Sequence, residues 1–398
     1  MKPLLLIYMN KYFSSILILK MSPNNINKLE MEKIFHGFYK NKIVLITGNT
    51  GFQGAWLTLW LKLLGAKIIG YSIDVPTQPS MFELLKLEFK ITHVNGDIKN
   101  LEKIKSVINE HKPNVVFHFA AQSLVSSSYD DPIETFHTNI LGTANILESI
   151  RDVKNTKVCV VMTSDKCYET PIDCHPCKED DKMGGSDPYS ASKGGAEIIV
   201  SSYRRSFFKK NNQCGIVSTR VGNVIGGGDW AKDRLIPDCI RALMGGKSLV
   251  IRNPQSIRPW QHVLEPLSAI LWLAVKMNSD PKNYSGGWNF GPDLQNKDTT
   301  VKEVVKQILK EWNGSKFEYK HIKSSLHETK ELRLDSTKAF EVLKWNTILS
   351  VKDAISKTIN WYKELDENQH NIEKFTIEQI ENYVCKACEK NLPWTKYR

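Results

Sequence analysis

The sequence predicts an α/β fold in which a doubly wound parallel sheet is joined to a smaller, interleaved α/β lobe. Short β-branched runs alternate with helical segments from about residue 41 to residue 222, as strands linked by right-handed helical crossovers do. Beyond residue 222 the alternation weakens, and glycines and prolines separate shorter elements. A chain of 398 residues, 41% hydrophobic and 24% charged, is long and apolar enough to build both parts.

The individual elements follow from apolar runs and their period. KIVLIT, at 42–47, is a short buried strand, and the apolar segment 52–64 continues as a helix. The later elements are strands at 66–73, 91–98, 114–121, 157–164 and 215–226, and helices at 101–111 and 189–208.

This order suggests a division of the chain. We expect a dinucleotide-binding domain at 41–222 with a return segment at about 261–285, and a substrate lobe at 223–260 and 286–365. Residues 1–40 are interpreted as an arm outside the fold and 366–398 as a tail without chemistry. In the arm Lys11 and Lys20 interrupt the apolar patches, and no run reaches the roughly 18 apolar residues of a membrane span, so no membrane partner is expected.

Charge and cysteines exclude several classes of protein. The formal net charge is +11, but the basic residues form no dense stripe, so we expect no nucleic-acid partner. Eight cysteines in so long a chain are not a disulfide framework and favour reduced thiols in the cytoplasm. The pairs Cys174/Cys177 and Cys385/Cys388 lie too far apart in sequence for a zinc ribbon, and no metal is expected.

A glycine-rich loop follows the first strand and opens the first helix. This is where a pyrophosphate binds the backbone N–H groups of a helix N-terminus, and the spacing GxxGxxG indicates a Rossmann-type domain. Asp74 follows the second strand, where a carboxylate can accept the hydroxyls of an adenosine ribose; no arginine stands beside it, which favours NAD over NADP. The candidate cofactor residues of the loop and the later strand ends are Gly48, Thr50, Gly51, Phe52, Gln53, Gly54, Asp97, Ile98, Ala120, Ala121 and Gln122.

A Tyr–Lys pair lies on the helix after the fifth strand. Tyr189 and Lys193 stand at i and i+4, so both lie on one helix face. A phenol with a pKa of roughly 10 is a poor base near neutrality unless a cation favours phenolate. Lys193 would supply that charge and let Tyr189 take a hydroxyl proton; both are candidate catalytic and cofactor-binding residues.

A second catalytic group follows the strand VCVVM, at the carboxyl edge of the sheet. Ser164 can hydrogen-bond the sugar hydroxyl that Tyr189 deprotonates. Asp165 and Lys166 add an acid/base pair, which a simple alcohol dehydrogenase does not need but an elimination of water does. The alternative interpretation of this pair is an exposed surface ion pair.

Residues 41–345 resemble the extended short-chain dehydrogenase/reductases, and within them the 4,6-dehydratases of CDP-activated hexoses. Related dTDP-sugar enzymes carry Thr-Asp-Glu where this chain has Ser164-Asp165-Lys166. The stretches that carry the resemblance are ITGNTGFQGAWLTLWLKLLGAKIIGYS, PTQPSMFELL, VFHFAAQSLVSSSY, TSDKCYE, GGSDPYSASKGGAE, RVGNVIGGGDWAKDRLIPD and RNPQSIRPWQHVLEPLSAILWLA.

The resemblance implies a redox-neutral cycle on tightly held NAD that yields a 4-keto-6-deoxy sugar nucleotide, a precursor of dideoxy sugars in bacterial surface polysaccharides such as the lipopolysaccharide O-antigen. It implies Lys166 as the base at C5, Asp165 as the acid for the C6 hydroxyl, Asn139 near the nicotinamide, and a homodimer, alone or paired, formed through helices of the dinucleotide domain. The residues it implies for the nucleotide diphosphate are Asn223, Arg234, Leu235, Ile236 and Pro237, and the further candidates near the pyrophosphate or the base are Arg258 and His262.

Other interpretations stay open. The loop at 170–178 departs from the family pattern, which puts local substrate contacts in doubt. A nucleotide-sugar 4-epimerase would use the same glycine loop, Tyr189 and Lys193, but has no need of Asp165 and Lys166. A dehydratase of dTDP- or GDP-hexoses and an NAD-binding scaffold without activity are the further alternatives.

Overall fold

The computed structural model describes residues 28–169, 175–208, 214–251, 253–294, 299–312, 319–321 and 332–396. Its eleven described strands are β1 Ile43–Thr47, β2 Lys67–Ser72, β3 Thr92–Asn95, β4 Val115–His118, β5 Val158–Met162, β6 Gly215–Val221, β7 Val224–Ile225, β8 Leu249–Ile251, β9 Gln261–His262, β10 Gly286–Phe290 and β11 Tyr319–His321. Seven of them form one sheet in the order β10-β6-β5-β4-β1-β2-β3, and every neighbouring pair in it is parallel.

The strand order explains where a site can form. From β1 the chain runs outward through β2 and β3, then returns to β4 on the other side of β1. Ligands of open α/β sheets bind in the crevice at such a reversal, outside the carboxyl ends of the strands. The predicted doubly wound parallel sheet is therefore confirmed, and its switch point lies between β1 and β4.

Helices cover both faces of the sheet. They are α1 Lys28–Met31, α2 Phe52–Leu63, α3 Met81–Leu84, α4 Leu101–His111, α5 Val125–Asp130, α6 Pro132–Phe136, α7 Gly142–Ile150, α8 Pro188–Tyr203, α9 Leu235–Met244, α10 Leu264–Ser279, α11 Pro281–Tyr284, α12 Val301–Trp312, α13 Thr337–Glu341, α14 Val351–Glu367 and α15 Ile372–Glu389. Because side chains alternate along a strand, Val44 and Ile46 of β1 belong to one hydrophobic cluster and Leu45 to another. Each cluster lies on one face of the sheet, as expected for strands that are buried on both sides.

The smaller elements add two short parallel ribbons, β7 with β9 and β8 with β11. The main sheet has one more strand than the sequence predicts. Residues 286–290 are predicted to belong to the substrate lobe, but they form β10, which pairs with β6 at the edge of this sheet. The division into lobes otherwise stays a prediction.

Both chain ends pack differently from the expectation. Phe35 is fully buried and stacks on Trp394 at a centroid distance of 4.9 Å, and both rings pack against Trp60 of α2. Tyr383 of α15 stacks on Trp394 as well. The ideas that residues up to 40 lie outside the fold and that 366–398 form a mere tail are thus wrong for 30–40 and 372–395, because these segments complete the core. Residues 1–27 lie outside the described residues.

Cysteines and membrane spans can be examined only in the described part of the chain. There the seven described cysteines are free thiols, and no group of three His, Cys, Asp or Glu side chains is arranged to hold a metal ion. Cys174, half of one CxxC pair, lies outside the described residues. Among the described helices none is long and apolar enough to cross a bilayer.

Candidate active site

The glycine loop lies at the carboxyl end of β1 with its backbone exposed to the crevice. Gly48 has φ of 75°, and a Cβ there would lie 2.6 Å from the backbone nitrogen of Ala120. A Cβ on Gly54 would lie 2.0 Å from the carbonyl oxygen of Gly48. Gly51 is the N-cap of α2 and has no side chain to bind the first N–H groups of the helix. Those groups are therefore available to a phosphate.

The first turn of α2 contains Phe52 and Gln53, both half-buried. The amide oxygen Oε1 of Gln53 is buried and has no hydrogen-bond partner among the described residues. Leaving a buried acceptor unpaired costs free energy, so an acceptor in this position fits a site that a ligand completes.

Thr50 and Asp74 connect the loop to β2. The Thr50 hydroxyl donates to the backbone carbonyl of Asp74 at 2.6 Å, and the Ser72 hydroxyl donates to Oδ1 of Asn49 at 2.8 Å. The Thr50 side chain thus stabilises the loop. The side chain of Asp74 stays exposed beyond the strand, in the place expected for a ribose contact.

Asp97 and Ile98 follow β3. Asp97 Oδ1 accepts the backbone N–H of Lys99 at 2.8 Å, which fixes the turn, while Ile98 is buried against Gly142 of α7. Both residues lie at the same edge as the glycine loop, as predicted, but Ile98 is a packing residue as much as a candidate adenine contact.

Asn139 connects the loop after β4 to the helix of the Tyr–Lys pair. Its Oδ1 accepts the Gln122 N–H at 2.8 Å, and its Nδ2 donates to the Gln122 carbonyl at 2.9 Å and to the Ser192 hydroxyl at 2.8 Å. Ser192 in turn donates to the Tyr189 carbonyl at 2.7 Å. Asn139 lies in a single π-helical turn, a local distortion that aims its amide at both neighbours. Its hydrogen bonds hold the half-buried Ala120, Ala121 and Gln122 against α8.

The Tyr–Lys pair lies on the buried face of α8, which begins at Pro188 with Asp187 as its N-cap. The Lys193 Nζ lies 5.9 Å from the centroid of the Tyr189 ring. Burial raises the pKa of Tyr189 to about 12, although a hydrogen bond with Ser164 opposes the shift. Burial lowers the pKa of Lys193 to about 8. The predicted pair therefore comes together in a desolvated place, on one buried face of the helix.

The acid/base segment turns beside Tyr189. The Ser164 hydroxyl donates to Asp165 Oδ1 at 2.9 Å and accepts the Lys166 N–H at 3.2 Å, in a single 3₁₀ turn. Asp165 is only 4% exposed, and its Oδ2 has no hydrogen-bond partner among the described residues. Burial raises the pKa of Asp165, against the opposing charge of Lys166. A surface ion pair is thus the wrong description, and the protonated carboxyl is favoured.

Arg234 lies at the N-terminus of α9 and is engaged by the protein itself. Its guanidinium forms an ion pair with Asp229 at 3.0 Å and donates to the Ser123 hydroxyl at 3.1 Å. Since Ser123 follows the loop of Gln122, Arg234 joins the sheet edge to the segment before α9. The half-buried Asn223 contributes its backbone carbonyl to the Gln261 N–H at 3.0 Å.

Four of the predicted substrate residues contribute to packing. Ile236 and Pro237 are buried on the inner face of α9, and Leu235 packs against the same core. His262 is fully buried, edge-on to Trp56 at a centroid distance of 6.0 Å. Burial lowers the pKa of His262 to about 3, so the ring is neutral. The structure thus shows the packing of Leu235, Ile236, Pro237 and His262, and their part in substrate binding stays a prediction.

A cleft is lined by two arginines, Arg258 and Arg333, and by apolar residues that include Ile257, Trp260, Leu294 and Leu332. Guanidinium groups beside an apolar wall suit a nucleotide with its phosphates. Arg258 is one of the predicted substrate residues. Arg333 is not, because nothing in the sequence around Arg333 distinguishes it from the chain's many other basic residues.

Fold and site together place the chain among the extended short-chain dehydrogenase/reductases. More particularly, it belongs to the family described as GDP-mannose 4,6 dehydratase, whose model matches residues 45–358.

Individual relatives agree with this assignment. CDP-glucose 4,6-dehydratase of Salmonella typhimurium is 44% identical over 330 residues, which cover 82% of this chain and 92% of the relative. Two solved structures share the fold: dTDP-glucose 4,6-dehydratase from Streptomyces venezuelae with NAD bound and UDP-glucose 4-epimerase from Thermotoga maritima. The first has a TM-score of 0.70 at 21% identity over 83% of this chain and 99% of its own, the second 0.71 at 22% over 81% and 99%.

Proposed function

We propose that this protein is an NAD-dependent CDP-glucose 4,6-dehydratase, a hydro-lyase that converts CDP-D-glucose to CDP-4-keto-6-deoxy-D-glucose. The observation that carries the proposal is the buried carboxyl of Asp165, with one oxygen unpartnered among the described residues, beside Ser164 and the Tyr189–Lys193 pair. The substrate base comes from the relative that is 44% identical over most of both chains.

The residues at the sheet edge fit NAD. The glycine loop leaves the space that a side chain would fill, the first N–H groups of α2 have no capping side chain, and Gln53 offers a buried acceptor. Asp74 supplies an exposed carboxylate for the adenosine ribose. Bound there, NAD would supply a hydride acceptor for C4 of the sugar and, once reduced, a hydride donor for C6.

Tyr189 is the base for the O4 proton. Its hydroxyl hydrogen-bonds Ser164, which also orients the substrate O4. Burial raises the pKa of Tyr189 to about 12, so the phenolate needs a nearby positive charge, and Lys193, whose Nζ lies 5.9 Å from the ring centroid, is placed to supply it. The C4 ketone that results makes the neighbouring C5 proton acidic, which prepares the elimination.

Asp165 and Lys166 carry out that elimination. Burial raises the pKa of Asp165 and so shifts its carboxyl toward the protonated form that a donor to the departing C6 hydroxyl requires. Lys166, half-buried next to it, removes the C5 proton and returns one later. An epimerase needs neither group.

The cleft that contains Arg258 and Arg333 is the proposed site of the nucleotide diphosphate. Asn223 and Arg234 are the further proposed contacts of the substrate. Arg234 would exchange its contact with Ser123 or Asp229 for a phosphate oxygen. In this scheme 223–260 and most of 286–365 form the substrate lobe.

We also propose a homodimer and a cytoplasmic location, with the product serving as a precursor of dideoxy sugars. The described surface near α8 exposes Ile133 of α6, Leu141 and Ile198, which lie on helices that pack together. Exposed apolar side chains on paired helices are typical of an interface. The free thiols suit a reducing compartment.

The test is a substrate panel. Purified protein is incubated with CDP-, dTDP-, UDP- and GDP-glucose, and 4-keto-6-deoxy products are detected by their near-ultraviolet absorbance in strong alkali, with the variant Tyr189→Phe as the inactive control. We expect product from CDP-glucose in preference to the others. Preference for another base would correct the substrate, and a 4-epimer without any keto product would refute the dehydratase.

A further inference from the structure

A buried ion pair lies under the acid/base segment and has no part in the chemistry described so far. Glu197 of α8 and Arg220 of β6 are 2.8 Å apart, and their side chains are only 4% and 6% exposed. Tyr189, Lys193 and Glu197 are spaced four residues apart along α8, so all three lie on its buried face. The pair is thus the next layer below the Tyr–Lys pair.

Glu197 holds the beginning of the acid/base segment. The Thr163 hydroxyl donates to its Oε1 at 2.6 Å, while its Oε2 accepts from Ser218 at 2.7 Å and from Arg220. Burial raises the pKa of Glu197, but Arg220 and the three hydrogen bonds more than offset this, so the pKa is lowered and the carboxylate is ionised. Thr163 directly precedes Ser164, so the carboxylate fixes the residue from which the segment turns.

Arg220 holds the other end. Its Nη1 donates to the Tyr168 hydroxyl at 2.7 Å and to the Glu179 carbonyl at 2.7 Å, and the guanidinium lies 5.0 Å from the centroid of the Tyr168 ring. The Tyr168 hydroxyl then donates to Asn289 of β10 at 2.7 Å. One ion pair therefore touches both residues that flank Ser164–Cys167.

We propose that Glu197 and Arg220 are positioning residues that clamp the segment Thr163–Tyr168 at both ends and so hold Asp165 and Lys166 against the substrate. A deviation of about 1 Å in such groups can cost about a hundredfold in rate. A buried ion pair is weak evidence for stability, since apolar side chains often replace one without loss. The contacts of the Glu197–Arg220 pair with Thr163 and Tyr168 therefore explain why an ion pair, and not an apolar pair, lies here.

Removing Glu197 or Arg220 outright would leave a buried charge unpaired and threaten folding, so the test removes single contacts instead. Thr163→Val and Tyr168→Phe each delete one hydroxyl that joins the clamp to the segment. Ser218→Ala is the matched control, because it deletes a hydroxyl on the same carboxylate without touching the segment. Thr163→Ser restores the hydroxyl.

Two measurements are made on NAD-loaded protein. In CDP-glucose dehydration, which rests on the proposed function, Thr163→Val and Tyr168→Phe lower kcat ~10-fold or more with KM nearly unchanged, whereas Ser218→Ala and Thr163→Ser stay within ~3-fold. In hydrogen exchange followed by mass spectrometry, which needs no substrate, peptides that cover 163–169 exchange faster in the first two variants than in the other two.

The outcomes separate the two ideas. If the wild type dehydrates CDP-glucose but all four variants lose kcat equally, or the segment exchanges alike in all, the clamp is refuted. If the wild type dehydrates no nucleotide sugar while the segment loosens only in Thr163→Val and Tyr168→Phe, the proposed function fails and the clamp stands. Unchanged exchange in an inactive protein refutes both.

Discussion

Glu265 is a buried carboxyl outside the active site, and its replacement by glutamine has a calculable effect on stability. It lies in the first turn of α10 and is 1% exposed. Its Oε1 accepts the N–H groups of Ile348 and Leu349 at 2.8 and 2.6 Å, and Tyr383 of α15 donates to Oε2 at 2.8 Å. The hydrogen bonds do not compensate for burial, which raises the pKa of Glu265 from 4.5 to about 7.

The sign of the effect follows from proton linkage. Between pH 4.5 and 7 the folded chain holds a proton on Glu265 that the unfolded chain has lost, so folding stability decreases as the pH rises through this window. A shift of about 2.5 units is worth about 3 kcal/mol. Glutamine does not titrate, so Glu265→Gln gains about 3 kcal/mol relative to the wild type between pH 4.5 and pH 8.

The assay is thermal unfolding of both proteins at pH values from 4.5 to 8. At about 2.1 cal/mol/K of unfolding entropy per residue, 3 kcal/mol corresponds to about 4 °C for a chain of this size. Glu367→Gln, at an exposed position on α14, is the control and should follow the wild type at every pH. A constant Tm difference between Glu265→Gln and the wild type across this range would refute the reasoning.

Three further predictions concern the active site. Gly54→Ala prevents cofactor binding, because its Cβ would lie 2.0 Å from a backbone oxygen. Gly51→Ala binds the cofactor more tightly than Gly54→Ala, because its Cβ meets an ordinary contact at 3.4 Å. Fluorescence titration with NADH measures the affinity of both variants, and equal affinities would contradict the geometry. Because the pKa of Lys193 is about 8, Lys193 loses the positive charge that favours the Tyr189 phenolate as the pH rises above about 8, and kcat falls. A kcat that keeps rising to pH 10 would contradict this prediction. Asp165→Asn slows elimination by ~10²- to 10⁴-fold but permits oxidation at C4, so absorbance of reduced cofactor builds up after mixing with CDP-glucose; no build-up with full loss of product would assign Asp165 to the first step as well.

The predictions from sequence that succeeded depend on local patterns. The strand and helix of the glycine loop, and the spacing of Tyr189 and Lys193, are set by residues within a few positions of one another. The order of the parallel strands then brings the ends of β1 and β5 to one edge. For this reason the sequence predicts that the cofactor loop and the acid/base segment lie at the same edge of the sheet.

The predictions that failed depend on distant residues. Phe35 and Trp394 have no apolar period that marks them as core, and they become core by packing on Trp60 and on each other. Arg333 becomes a candidate substrate-binding residue only because it lines the same cleft as Arg258. Such contacts arise from the assembled fold.

The stacking of Phe35 on Trp394 brings the two described ends of the chain side by side, and His36 Nε2 lies 3.1 Å from the carbonyl oxygen of Pro393. Because the two ends lie side by side, they can be joined and the chain opened elsewhere without a change in the fold. A circular permutant that joins residue 396 to residue 30 through a short linker, and opens in the exposed turn at Lys154, would keep every strand of the sheet and every contact of the site. The new chain ends at Lys154 would then be a second point, besides the natural ends, at which another domain can be fused away from the cofactor crevice.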